Sequence, residues 1–151
     1  MSQANVEVVQ RLVDAYNRRD INGIIALADP DIEFRSVFVA VEPIFRGHEG
    51  VRTYFQGLDD AYDHFQIVAT EFIDAGAAAL WAGHFDWRGK ESGARSTTQV
   101  ACAMWLRAGK VFRIETFPDR TQALEAVGLT EQEGRALTEL GLPSEANSPR
   151  T

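Results

Sequence analysis

Apolar positions follow two rhythms along this chain, one helical and one alternating. From Val6 they recur at Val9, Leu12, Val13 and Tyr16, the spacing of a single helical face. Asp20 is placed to cap a second short helix, "INGIIALA", which stops at "DPD" because proline disfavours helix in the residue before it. In "DIEFRS", Ile32, Phe34 and Ser36 alternate with Glu33 and Arg35, the pattern of a half-buried strand. An irregular stretch, "VFVAVEPIFRG", leads to a third helix with Val51, Tyr54, Phe55 and Leu58 on one face.

Beyond that helix the period becomes that of strands. "FQIVATEFI" ends at the turn signal "DAG", and "AAALWAGHFDWR" follows, then the loop "GKESGA". "RSTTQVACAMWL" and "KVFRIETF" are joined most simply by a two-residue hairpin turn at Ala108 and Gly109. Three helices followed by an antiparallel meander predict an α+β fold with helices laid over one sheet face. Asp119 and Gln122 form a capping pair for "RTQALEAV", which Gly128 is placed to end, and a Thr-x-x-Glu box starts one more short helix in "TEQEGRALTEL". The polar, proline-containing tail "PSEANSPRT" is expected to be disordered. The organisation predicted is one domain over residues 1–129, a helical extension over 130–142 and a tail over 143–151.

Composition narrows the function classes. At 151 residues, 45% hydrophobic and 25% charged, the chain reads as one soluble globular domain with a sizeable core. A net charge of −7 argues against a nucleic-acid partner, whose phosphates call for lysine and arginine. The N-terminus lacks a basic head followed by an apolar run, and no apolar stretch is long enough to cross a bilayer. A cytoplasmic protein without a membrane partner is therefore expected. The single cysteine, Cys102, excludes an intrachain disulfide and reads as a buried, inert thiol. No His, Asp or Glu spacing resembles a metal site, so neither a metal nor another cofactor is expected.

Several phrases in this order resemble the nuclear transport factor 2-like superfamily, in its SnoaL-like and ketosteroid isomerase-related branch. They are "AYNRRDINGIIALADPDIEF", "FRGHEGVRTYF", "WLRAGKVFRIETFPDRTQALEAVGL" and the "GKESG" loop before a strand, and the likeness spans Val6 to Leu129. The resemblance implies a cystatin-like α+β barrel: a cone-shaped, curved, antiparallel-rich sheet wrapped around the N-terminal helices, with a pocket at its wide end. It also implies a homodimer joined through the outer sheet face. Fold leaves chemistry open, since the superfamily holds isomerases, cyclases, hydrolases, dehydratases and non-catalytic binding subunits.

The hairpin at Ala108 and Gly109 sets an expected register, with Trp105 opposite Phe112, Ala103 opposite Ile114 and Ala101 opposite Thr116. Cross-strand partners share a face. The resemblance makes that face the pocket side, which places Gln99, Trp105, Ile114 and Thr116 inside and Val100, Cys102, Met104, Arg113, Glu115 and Phe117 outside. Matching to ketosteroid isomerases puts Ser36 at the base, Leu12 at the donor tyrosine, Ala103 at the donor acid and Phe55 at the supporting tyrosine, so that catalytic set is absent. Matching to limonene-epoxide hydrolases puts His84 and Thr116 at the carboxylates and Ala82 at the arginine, so that set is absent too. Asp119 lies near the base of the SnoaL-like cyclases but suits a helix cap better.

The remaining candidates describe an apolar, aromatic pocket. Tyr16, Phe34, Tyr54, Phe55, Trp105 and Ile114 are expected to form its walls, punctuated by Ser36, Gln99 and Thr116, for a small hydrophobic or polycyclic ligand with an oxygen to orient. His84 is the candidate acid/base and Asp86, two residues on along the same face of "HFDWRG", the group that orients it. The function expected is a cofactor-free isomerase, cyclase, dehydratase or hydrolase. Its rival is a non-catalytic ligand-binding or dimerisation module. A further alternative, an assembly subunit, has Val100, Met104 and Phe117 buried against a partner.

Overall fold

The computed structural model of the chain describes residues 3–36 and 44–141. The irregular segment expected after Ser36 and the tail expected over 143–151 fall largely or wholly outside them. Helix α1, Gln3–Asn17, presents Val6, Val9, Leu12, Val13 and Tyr16 to the core as its periodicity requires. Asp20 accepts from the amide of Gly23 and starts α2, Ile21–Leu27. Strand β1, Ala28–Arg35, and the two-residue β2, Phe45–Arg46, lead into α3, Gly47–Ala61, which buries Val51, Tyr54, Phe55 and Leu58. The short β2 has no counterpart in the sequence reading. Four longer strands follow: β3, Tyr62–Asp74; β4, Ala78–Gly89; β5, Arg95–Arg107; and β6, Lys110–Phe117.

Among the described residues six strands form one curved sheet in the order β2-β1-β6-β5-β4-β3, in which β1 and β6 run parallel and the other neighbours antiparallel. Its inner face, carrying Phe65, Ile67, Trp81, Phe85, Val100, Cys102, Met104 and Ile114, closes over α1, α2 and α3 as one hydrophobic core. The outer face carries a second core. There Ile73, Leu80, Ala82, Ala101 and Ala103 are covered by Ala123 and Leu124 of α4, Arg120–Ala126, and by Leu137 of α5, Glu131–Gly141. Asp119 caps α4 through the amide of Gln122, and Thr130 with Glu133 forms the reciprocal box that opens α5.

Two bulges decide which side chains face inward. Ala108 and Gly109 both adopt positive φ (53° and 78°), so the predicted hairpin turn is present, with Arg107 paired to Lys110. Leu106 then pairs with Val111, but Trp105 pairs with Arg113, which leaves Phe112 as one extra residue on β6. From there Met104 lies opposite Ile114 and Cys102 opposite Thr116, not Ala103 and Ala101 as expected. A shift of one residue turns a strand over. The expected parity of β6 therefore holds for Ile114 and Thr116, while β5 is inverted. Strand β4 goes with it, because His84 pairs with Gln99 and Leu80 with Ala103. A second bulge, at Thr70 on β3, lets that hydroxyl donate to the Ala82 carbonyl at 3.1 Å.

Candidate functional site

The inner face and the helices enclose a cavity. Tyr16 and Leu12 reach it from α1, Ile24 from α2, Val51, Tyr54 and Phe55 from α3, and Phe34 from β1. Ile67, Trp81, Phe85, Cys102, Met104, Ile114 and Thr116 complete the wall from the sheet. The space open to the centre of a water molecule is about 40 Å³, inside a hollow of about 490 Å³ that includes its mouth. That inner space holds about three water molecules.

Tyr54 is the hub of the aromatic wall. Its ring lies 4.5 Å from Phe34, 5.6 Å from Phe45 and 5.1 Å from Phe55, all edge-on, the arrangement the ring quadrupoles favour. Its hydroxyl shares a hydrogen bond of 2.7 Å with that of Tyr16, and both side chains are buried. Two hydroxyls carry two protons and the bond between them uses one. Burial raises both tyrosine pKa values well above the usual 10.0; for Tyr16 the neighbouring Tyr54 adds to the rise, whereas for Tyr54 the bond from Tyr16 opposes it. The pair is thus held neutral, a donor and not a base. Burial likewise raises the Cys102 thiol, with the polar N–H of the neighbouring Trp81 indole acting the other way. That indole N–H is buried and has no hydrogen-bond partner of suitable geometry.

The expected residues divide cleanly. Tyr16, Phe34, Tyr54, Phe55, Ile114 and Thr116 line the cavity. Ser36 is buried at the end of β1 but is not part of the wall. Gln99 and Trp105 lie on the outer face, Gln99 exposed and Trp105 under the Arg113 guanidinium at 4.9 Å, because the Phe112 bulge inverts β5. For the same reason Val100, Cys102 and Met104, expected outside, are inside. Phe117 is outside as expected and packs in the second core.

His84 and Asp86 also face outward, with Phe85 inside between them, so the pair does not reach the cavity. Asp86 does not serve His84 either. Its oxygens lie 3.6 Å from His64 Nε2 and 3.7 Å from Arg95 Nε, both across the sheet. Among the described residues the cavity wall holds no carboxylate, imidazole, ammonium or guanidinium. Asp119 acts as the cap of α4, as its surroundings in the sequence suggest. Sequence reasoning missed Trp81 and Met104, which needed the true parity of β4 and β5. It also missed the Tyr16–Tyr54 bond, which joins residues that no local pattern relates.

Comparison with known proteins agrees with this architecture. A model of the SnoaL-like domain matches residues 9–114. No curated protein matches the sequence. Among solved structures, the chain is similar to an NTF2-like protein of unknown function from Burkholderia pseudomallei, at 19% identity over 85% of this chain and 99% of that one, with a TM-score of 0.71. It is also similar to TerC, co-crystallised with polyporic acid, at 21% identity over 82% and 97% of the two chains and a TM-score of 0.70. An NTF2-like protein from Burkholderia xenovorans shares 24% identity over 84% and 97%, with a TM-score of 0.67. Likeness at these identities speaks for the fold, and the family follows from the domain match: the chain belongs to the SnoaL-like domain family.

Proposed function

We propose that this protein binds a small, neutral and mostly apolar molecule in the cavity between α1, α3 and the inner sheet face, orienting one oxygen of it on the Tyr16–Tyr54 hydroxyl pair. The observation that carries this reading is that pair: two buried hydroxyls 2.7 Å apart in a mostly aromatic and aliphatic wall. A charged ligand would lose its hydration with no counter-charge among the described wall residues to replace it, which is costly. The same composition favours binding over acid/base catalysis, since tyrosines and a thiol whose pKa values are raised hold their protons at neutral pH. The small inner space suits a ligand of one ring, and Met104, with its flexible side chain, is the wall residue best able to yield to a larger one.

Titration with cyclohexanone, followed through the methyl resonances of Met104 and Ile114, tests the reading. Both methyls are expected to shift in a saturable way, and Tyr54→Phe to weaken binding about fivefold by removing one hydroxyl of the pair. Methyl resonances that stay in place up to millimolar ketone would overturn it.

A further inference from the structure

Among the described residues the cavity wall carries one side chain that can only donate a hydrogen bond, Trp81. Its indole is 1% exposed, in the middle of β4, paired with Cys102 on one side and Phe72 on the other. Buried N–H groups without a partner are rare in native proteins, because the lost solvation is not recovered. Here Nε1 has no acceptor of suitable geometry. The sulfur of Cys102 beside it is a weak acceptor at best. A phenylalanine would fill most of the same space without the polar cost, and Phe85, four residues on, does so against the same wall with its ring 5.9 Å away. The Tyr16–Tyr54 pair adds an O–H proton that their mutual bond leaves over, and Cys102 adds an S–H. What the indole N–H lacks is an acceptor.

We infer that Trp81 selects the ligand, and that the ligand is a neutral carbonyl compound whose oxygen accepts from the indole N–H. This rests on the binding reading above and narrows it. A carbonyl oxygen has two lone pairs and no proton of its own, so it accepts from the indole without adding a donor, whereas a primary or secondary amine would bring N–H groups that need partners too. A carboxylate or phenolate would satisfy the donors but would bury its charge with no cation on the described wall.

The test compares cyclohexanone with methylenecyclohexane, which has the same ring and shape but =CH2 in place of =O, in the wild type and in Trp81→Phe. The wild type is expected to bind the ketone about tenfold more tightly than the alkene. In Trp81→Phe that preference falls to about twofold, while the alkene binds at least as well as before. The Trp81 indole N–H resonance of the wild type is expected to move downfield with the ketone and not with the alkene, a readout that stands even if the variant does not fold. Equal affinities in the wild type, an unmoved indole resonance, or a tenfold preference that survives in Trp81→Phe overturns this inference alone. Failure of both compounds to bind overturns the binding reading as well.

Discussion

Gly83 shows how narrowly single residues are determined here. A Cβ added to it would lie 2.0 Å from the Val68 carbonyl oxygen, an atom of the neighbouring backbone that no rotamer change can move away. The Thr70 bulge lies next to this contact and presses β3 against β4. Gly83→Ala is therefore expected to destabilise the protein by about 3 kcal/mol, read from the urea midpoint, with less loss only if the bulge relaxes. His84, the next residue, should behave oppositely. It is half-buried on the outer face away from the cavity, so His84→Ala is expected to change stability by less than about 0.5 kcal/mol and to leave cyclohexanone affinity unaltered. A loss of ketone binding in that variant would return His84 to the site. In the sequence, this histidine and its aspartate stand out as the candidate chemistry, and the tyrosines as pocket-wall positions on two separate helix faces. Only the folded chain, by bringing α1 against α3, makes Tyr16 and Tyr54 one group.

At the level of elements, helices and turns were legible where local chemistry defines them. The Asp20 and Asp119 caps, the Thr130–Glu133 box and the Ala108–Gly109 turn all formed where their residues indicated. Strand faces were not, and the reason is physical. The bulge at Phe112 carries no glycine and no other mark, yet one extra residue there inverted the faces read for β5 and, through pairing, for β4. The outer face gained a cover the sequence did not reveal. Arg120 at the start of α4 makes two hydrogen bonds to Glu71 of β3, at 2.7 and 3.2 Å, and pairs with Glu131 of α5, which also accepts from Thr121. This clamp holds α5 against the sheet. Arg120→Ala is expected to cost about 2 kcal/mol and to speed amide exchange over residues 131–137 well before that of β4 and β5. Acid should loosen the same helix, because the Thr121 hydroxyl and then Arg120 hold the Glu131 pKa below its usual value. That stabilisation is present above the usual carboxylate range and is lost as pH falls through the lowered value. Exchange in α5 that tracks the sheet in both experiments would mean the clamp adds nothing.

For the molecule as a whole, the consequence of two cores on one sheet is that polar chemistry is sorted by side. The ion pairs of Asp86 and Arg120 lie on the outer side, and among the described residues the cavity wall keeps only neutral groups. That sorting makes a distinctive alkaline profile. Tyr16, Tyr54 and Cys102 all have pKa values raised chiefly by burial, and each is neutral when protonated. In the unfolded chain the thiol ionises near about 8.5 and the tyrosines near about 10, while in the fold all three keep their protons to higher pH. Above those values the unfolded state binds fewer protons than the folded one, so stability falls as pH rises; below about pH 8 the three groups contribute no slope. Each fully engaged group steepens the fall by about 1.4 kcal/mol per pH unit. The urea midpoint is therefore expected to show no contribution from these groups between pH 6 and 8 and to drop steeply beyond pH 10. Tyr16→Phe, by removing one titrating group, should make the drop shallower by about 1.4 kcal/mol per unit while lowering stability at neutral pH through the lost hydroxyl bond. A drop of unchanged slope in that variant would mean that the Tyr16 hydroxyl is open to solvent, and with it would go the buried, neutral cavity on which the binding reading stands.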